Sequence, residues 1–145
     1  MGKEADAGAV WGSILQLFLG SQHERFHRLA DKEGLTVRTI HALLDLSPDE
    51  PQPMSMLAEQ WFCDASNVTG IVDVLESRGL AVREPHPSDR RMKLVRLTEE
   101  GVAVRTRCVD HLSTPPPALL ALSAEELRAL RPLVERAAQG EPVVG

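Results

Sequence analysis

The sequence predicts a mainly helical α+β fold in which a close pair of short helices leads into one β-hairpin, with longer helices before and after. Three observations predict it. Apolar residues recur at helical spacing over most of the chain. Two such segments are joined only by Phe62-Cys63-Asp64, the spacing of a helix-turn-helix. After Gly79 the period changes to that of strands and returns to helical at Thr98.

Residues 1–8 are small and charged and are expected to fray. From Ala9 to Lys32, Trp11, Leu15, Phe18, Phe26 and Leu29 give a first helix, which Gly34 ends and Gly20-Ser21 could loosen. Thr36 caps a second helix with Val37, Ile40, Leu43 and Leu44 on its apolar face. Three prolines between Ser47 and Pro53 mark a loop. Ser55 is then expected to cap a short helix from Met56 to Trp61.

Asp64 caps the next helix, Ala65 to Arg78, with Val68, Ile71, Val72 and Leu75 facing inward, and Gly79 stops it. Two strands follow, Ala81–Glu84 and Lys93–Leu97. In the second, Val95 and Leu97 are expected on the buried face and Leu94 and Arg96 on the other. The turn-rich segment from Pro85 to Arg91 makes the pair a hairpin with a charged tip, a wing. Thr98 caps a helix to about Leu112, and the prolines at 115–117 end it. Ser123 and Glu126 form a capping box for a last helix striped by Leu127, Leu130 and Val134. The tail from Gly140 is expected to be disordered.

Composition bounds the function. The 145 residues suit one domain, 43% of them apolar and 26% charged. No membrane-spanning run or signal peptide is visible, so a cytoplasmic protein is expected. Two cysteines, Cys63 and Cys108, make neither a disulfide scaffold nor a zinc site. His23 and His27 lie four apart, but no further ligand set accompanies them, and neither metal nor cofactor is expected. No nucleophile elbow, phosphate loop, zincin or C-x-x-C motif points to an enzyme.

The net charge of −5 at first opposes a nucleic-acid partner. Its distribution reverses that. Residues 76–98 carry six basic side chains (Arg78, Arg83, Arg90, Arg91, Lys93, Arg96) against three acidic ones (Glu76, Glu84, Asp89), leaving −8 for the rest of the chain. A basic segment on an acidic body can hold a phosphate backbone in one register.

The helix-turn-helix, the block from Asp64 to Leu80 and the run from Asp89 to Gly101 together resemble the MarR family of bacterial regulators, over about residues 9 to 138. The resemblance implies a winged helix-turn-helix lobe over 35–97, with residues 9–34 and 98–139 forming dimerisation helices within a single domain. It implies a homodimer that binds double-stranded DNA at a pseudo-palindromic operator, as a repressor, with its recognition helix in the major groove and its wing in the minor groove. Many members answer to small aromatic or anionic effectors bound between the two regions, others to thiol oxidation or metal. The tyrosines and N-terminal cysteine of the peroxide-sensing type are missing here.

On this reading Ser66, Asn67 and Thr69 face base edges, where their small donors and acceptors and the threonine methyl suit adenine and thymine. The same residue types also favour helix starts on their own account. Arg91, with Arg90 next, is the minor-groove candidate, and Asp89 is placed to hold one guanidinium by a bidentate pair. Arg83, Lys93 and Arg96 are phosphate candidates. Gly70 stands where family members often carry a basic residue, which shifts affinity toward the wing. The alternative is a winged-helix protein-interaction module without an operator of its own.

Overall fold

The computed structural model describes residues 2–140. In chain order the elements are α1 (Gly2–Glu33), α2 (Val37–Asp45), β1 (Gln52–Pro53), α3 (Met54–Gln60), α4 (Ala65–Ser77), β2 (Ala81–Pro85), β3 (Lys93–Leu97), α5 (Glu99–Ser113), α6 (Pro117–Leu120) and α7 (Ala124–Gln139). The chain divides into two compact units. One is drawn from the chain up to Leu17 and from Thr114 onward; the other is Phe18–Ser113. The lobe expected over 35–97 lies within the second. No helix among the described residues is long and apolar enough to cross a membrane.

Several expectations need correction. α1 begins at Gly2 and is not frayed over residues 2–8. Glu4 in the first turn favours helix there, with Lys3, Ala5 and Ala7 as good helix formers, and Gly20-Ser21 does not interrupt it. The segment before α3 is not only loop. Gln52 pairs with Val95 and Pro53 with Leu94, so the hairpin becomes a three-stranded antiparallel sheet of order β1-β3-β2. This moves the start of α3 to Met54, with Pro53 in the cap position, and Ser55 caps nothing. As the central strand, β3 buries Leu94 along with Val95 and Leu97, so its second face is covered at Leu94, while Arg96 stays exposed as expected. Residues 141–145, most of the tail expected to be disordered, lie outside the described residues; Gly140 is the C-cap of α7.

The core of the second unit gathers one face from each element. Leu29 of α1, Ile40 and Leu43 of α2, Leu57 of α3, Val72 and Leu75 of α4, Val95 of β3 and Cys108 of α5 are all fully buried. Polar clasps close its seams. Arg105 of α5 donates to the carbonyls of Leu44 and Leu46, satisfying the open end of α2 (3.0 and 3.1 Å). Arg78 does the same for the end of α1, donating to Gly34 O at 2.5 Å and Glu33 O at 2.9 Å. Thr98 donates its hydroxyl to Gly79 O (2.6 Å) and accepts the Gly101 N–H (3.0 Å), which joins the end of the sheet to the start of α5. Gly101 lies so close to the chain that a Cβ there would fall 1.9 Å from Leu80 O.

One backbone conformation is out of place. Phe62, between α3 and α4, has φ of 47° and is 96% exposed. A bulky residue in the left-handed region carries strain of about 1–3 kcal/mol, and no burial offsets it here. Phe62→Gly is therefore expected to raise the thermal midpoint by roughly 2–4 °C. A midpoint equal to or below wild type in a calorimetric scan refutes the assignment of strain.

Candidate nucleic-acid interface

α4 owes its position to its cap. Asp64 Oδ1 accepts the backbone N–H of Asn67 at 2.9 Å and the hydroxyl of Ser66 at 2.8 Å. These bonds, the backbone one first, hold the Asp64 carboxyl below the usual carboxylate range. Beyond the cap, Ser66, Asn67 and Thr69 are all exposed, while Val68, Ile71, Val72 and Leu75 anchor the opposite face. Ser66 therefore spends its proton on Asp64, and Thr69 donates its own to Ala65 O at 3.0 Å. Both hydroxyls are left to present oxygen lone pairs outward.

The lowered carboxyl fixes the sign of a pH effect. Its contribution is present above the unfolded carboxylate pKa and is lost as pH falls through the lower folded value. Asp64→Asn keeps an acceptor at the cap but cannot titrate. The stability gap between wild type and D64N, measured by urea unfolding, is expected to hold above about pH 5 and to shrink as pH falls through and below about 4. A gap that stays constant with pH refutes this.

The wing tip is organised by its own backbone. Asp89 does not hold a guanidinium, as the sequence suggested. Its Oδ1 accepts the Arg91 N–H at 2.9 Å, its carbonyl accepts the Met92 N–H, and the Met92 carbonyl accepts the His86 N–H. Asparagine-like local turns of this kind compete well for a short carboxylate. Arg90, Arg91 and Lys93 are exposed and make no ion pair among the described residues. Arg91 and Lys93 also border a groove of about 350 Å³ with Thr69, Ser55 and Met54, so the wing and the recognition helix share one concave surface.

The remaining two cations are otherwise employed. Arg83 is turned onto α4, where it meets Asp73 at 2.5 Å, Glu76, and the carbonyl of Thr69 at 3.2 Å. Arg96 pairs with Glu84 at 3.3 Å. The Arg83 side chain is thereby laid against the lobe, at 23% exposure, whereas Arg96 keeps 47%. Sequence reasoning missed the Arg83 arrangement, although Thr69, Asp73 and Glu76 at i, i+4 and i+7 mark one face of α4.

Other candidates resolve more simply. His23 and His27 meet edge-on with ring centroids 4.4 Å apart, and no group of three metal-binding side chains occurs among the described residues. Burial, with Glu33 adding to it, pushes the Cys108 thiol up, away from the reactive thiolate. Cys63 is half-buried in the helix-turn-helix corner.

Comparison with known proteins places these features in a family. The sequence model described as the MarR family matches residues 35–93. The organic hydroperoxide resistance transcriptional regulator of Bacillus subtilis is 30% identical over 111 residues, spanning 74% of this chain and 73% of its own. The HTH-type transcriptional regulator MhqR of the same organism is 25% identical over 124 residues, 85% of this chain and 86% of its own. In fold the chain matches a MepR variant of S. aureus bound to an oligodeoxyribonucleotide, at a TM-score of 0.69 and 16% identity over 90% of this chain and 96% of that one. With a winged helix-turn-helix lobe and relatives at this identity and coverage, the chain belongs to the MarR family and is a DNA-binding transcription regulator.

Proposed function

We propose that this regulator binds a pseudo-palindromic operator as a homodimer and acts as a repressor. Ser66, Asn67 and Thr69 of α4 read the major groove, Arg90 and Arg91 enter the minor groove, and Lys93 meets a phosphate. The observation that carries this reading is the surface shared by Thr69, Arg91 and Lys93, which joins exposed helix polars to wing cations that form no ion pair among the described residues. Arg83 leaves the set of phosphate candidates because its guanidinium is engaged on α4, while Arg96, about half exposed beside Glu84, stays in it.

Dimerisation is supported by apolar surface left uncovered. α7 buries none of its residues, and Leu130, Leu133 and Val134 stand exposed along it. On the N-terminal part of α1, Val10, Trp11, Ile14 and Leu15 are exposed as well. An amphipathic helix with an unburied stripe calls for a partner. A second copy, held by residues 9–34 and 98–139, would cover these stripes and set the two recognition helices about one turn of DNA apart.

Release by a small molecule is supported by a pocket of about 350 Å³ in the second unit, lined by Phe18, Gln22, His23, Phe26, His27 and His41 among others. Phe26 and His41 stack at 4.2 Å, and Gln22 Oε1 is buried without a hydrogen-bond partner. A flat aromatic molecule carrying one donor group would fill the pocket and satisfy that oxygen.

The test is a fluorescence-anisotropy titration on duplexes recovered by in vitro selection, with a scrambled duplex beside them. The expected result is two chains per duplex, a two-fold repeat in the selected sequence, and affinity that falls steeply with salt. Equal affinity for the scrambled duplex, or one chain per site, refutes the reading.

A further inference from the structure

A helix that enters a groove walled by phosphates should not carry carboxylates on its working face. α4 carries two. Asp73 and Glu76 lie on the same face as Thr69, one of the proposed base readers, at i+4 and i+7 from it. Arg83, from the first strand of the wing, lies across all three. Its Nη2 donates to Asp73 Oδ1 at 2.5 Å and to Thr69 O at 3.2 Å, and its Nη1 pairs with Glu76. The Arg83 side chain is 23% exposed, against 61% for Asp73 and 39% for Glu76, so the guanidinium is laid down on α4 while its carboxylate partners still face solvent. Backbone pairing across β2 and β3, where Arg83 faces Val95, fixes the other end of the tie.

This arrangement does two things at once. The planar guanidinium reaches two turns of α4 in a fixed geometry, so the recognition helix cannot turn or slide independently of the wing. It also leaves the two carboxylates with a single uncompensated charge on a face that must approach DNA. We propose that Arg83 is a positioning residue for DNA recognition, a clamp that sets α4 against the wing and screens Asp73 and Glu76 from the phosphates. Sequence discrimination then depends on a residue that touches no base. The inference rests on the reading of α4 and the wing as the DNA-contacting surface.

Lysine separates the two effects, since it keeps the charge but lacks the fork. The variants are Arg83→Lys, Arg83→Met and Arg83→Met combined with D73N and E76Q. Each is titrated on the selected duplex and on a scrambled one at several salt concentrations. R83K is expected to hold scrambled-duplex affinity within about two-fold of wild type while its preference for the selected duplex falls about ten-fold. R83M is expected to lose affinity for both duplexes, and the triple variant to regain it on the scrambled duplex without regaining preference.

A different pattern overturns the clamp. If R83M lowers both affinities equally and reduces the salt slope of the dimer by about two, one contact from each chain, Arg83 is a phosphate ligand. If R83K and R83M leave preference unchanged, it positions nothing. A wild-type protein with no preference fails the operator reading instead, and the tie is then judged on the protein alone. A thermal double-mutant cycle between R83M and D73N/E76Q should show coupling, and simple additivity overturns the tie itself.

Discussion

A Gly101→Ala variant is expected to lose much of its stability, about 3–5 kcal/mol, with a thermal midpoint lowered by roughly 10 °C. The added Cβ would sit 1.9 Å from Leu80 O and 2.8 Å from Leu80 C. Backbone, not a flexible side-chain end, would have to give way. Leu80 is poorly placed to do so. It is buried, its N–H is bonded to Leu75 O at 2.8 Å, and its carbonyl receives the Thr98 N–H at 3.0 Å. Any shift must break the joint among α4, the sheet and α5. Gly70 supplies the opposite control. It lies on the exposed face of α4, and a Cβ there would meet nothing within 4 Å. Gly70→Ala should therefore stabilise by about 0.5–1 kcal/mol through helix propensity alone. Circular-dichroism melts of the two variants check both signs. A G101A protein within about 1 kcal/mol of wild type would show that the joint is soft.

The second large effect concerns binding. The Arg90→Ala, Arg91→Ala double variant is expected to weaken operator affinity about 100-fold and to reduce the salt slope of the dimer by about four, two charges from each chain, without changing the melt. The fold should not notice the change, because both side chains are exposed and neither forms an ion pair among the described residues. What holds the tip is backbone and Asp89, which remain. The arginines instead supply positive charge at the end of a rigid hairpin, suited to the enhanced negative potential of a narrow minor groove. Unchanged affinity in an anisotropy titration would move the contact away from the wing tip.

The sequence made local features legible and tertiary ones not. The Asp64 cap, the inward residues of α4, the strand Lys93–Leu97 and the Ser123–Glu126 capping box all depend on neighbours within a few positions, and all stand in the structure. β1 was not legible, because two residues carry no periodicity and their pairing with Val95 and Leu94 spans some forty positions. For the same reason Ser55 looked like a cap until Pro53 joined the sheet. The exposed helix polars were found by pattern, whereas the status of each arginine was not. Arg83, Arg90, Arg91 and Arg96 look alike in one dimension, and only the fold decides which meet a carboxylate. Asp89 misled because its acceptor was assigned to a side chain when a backbone N–H lay two residues away.

The two-residue strand β1 has a bearing on how the protein behaves in a crowded solution. A three-stranded sheet has two open rims, each able to recruit a foreign strand. On one rim stands Gln52-Pro53, too short to template a neighbour and ending in a residue with no N–H to offer. The other rim, β2, finishes at Pro85 and sets the charged pair Arg83 and Glu84 just before it. Both rims are therefore blunted, and the sheet that carries the wing is protected from stacking into aggregates.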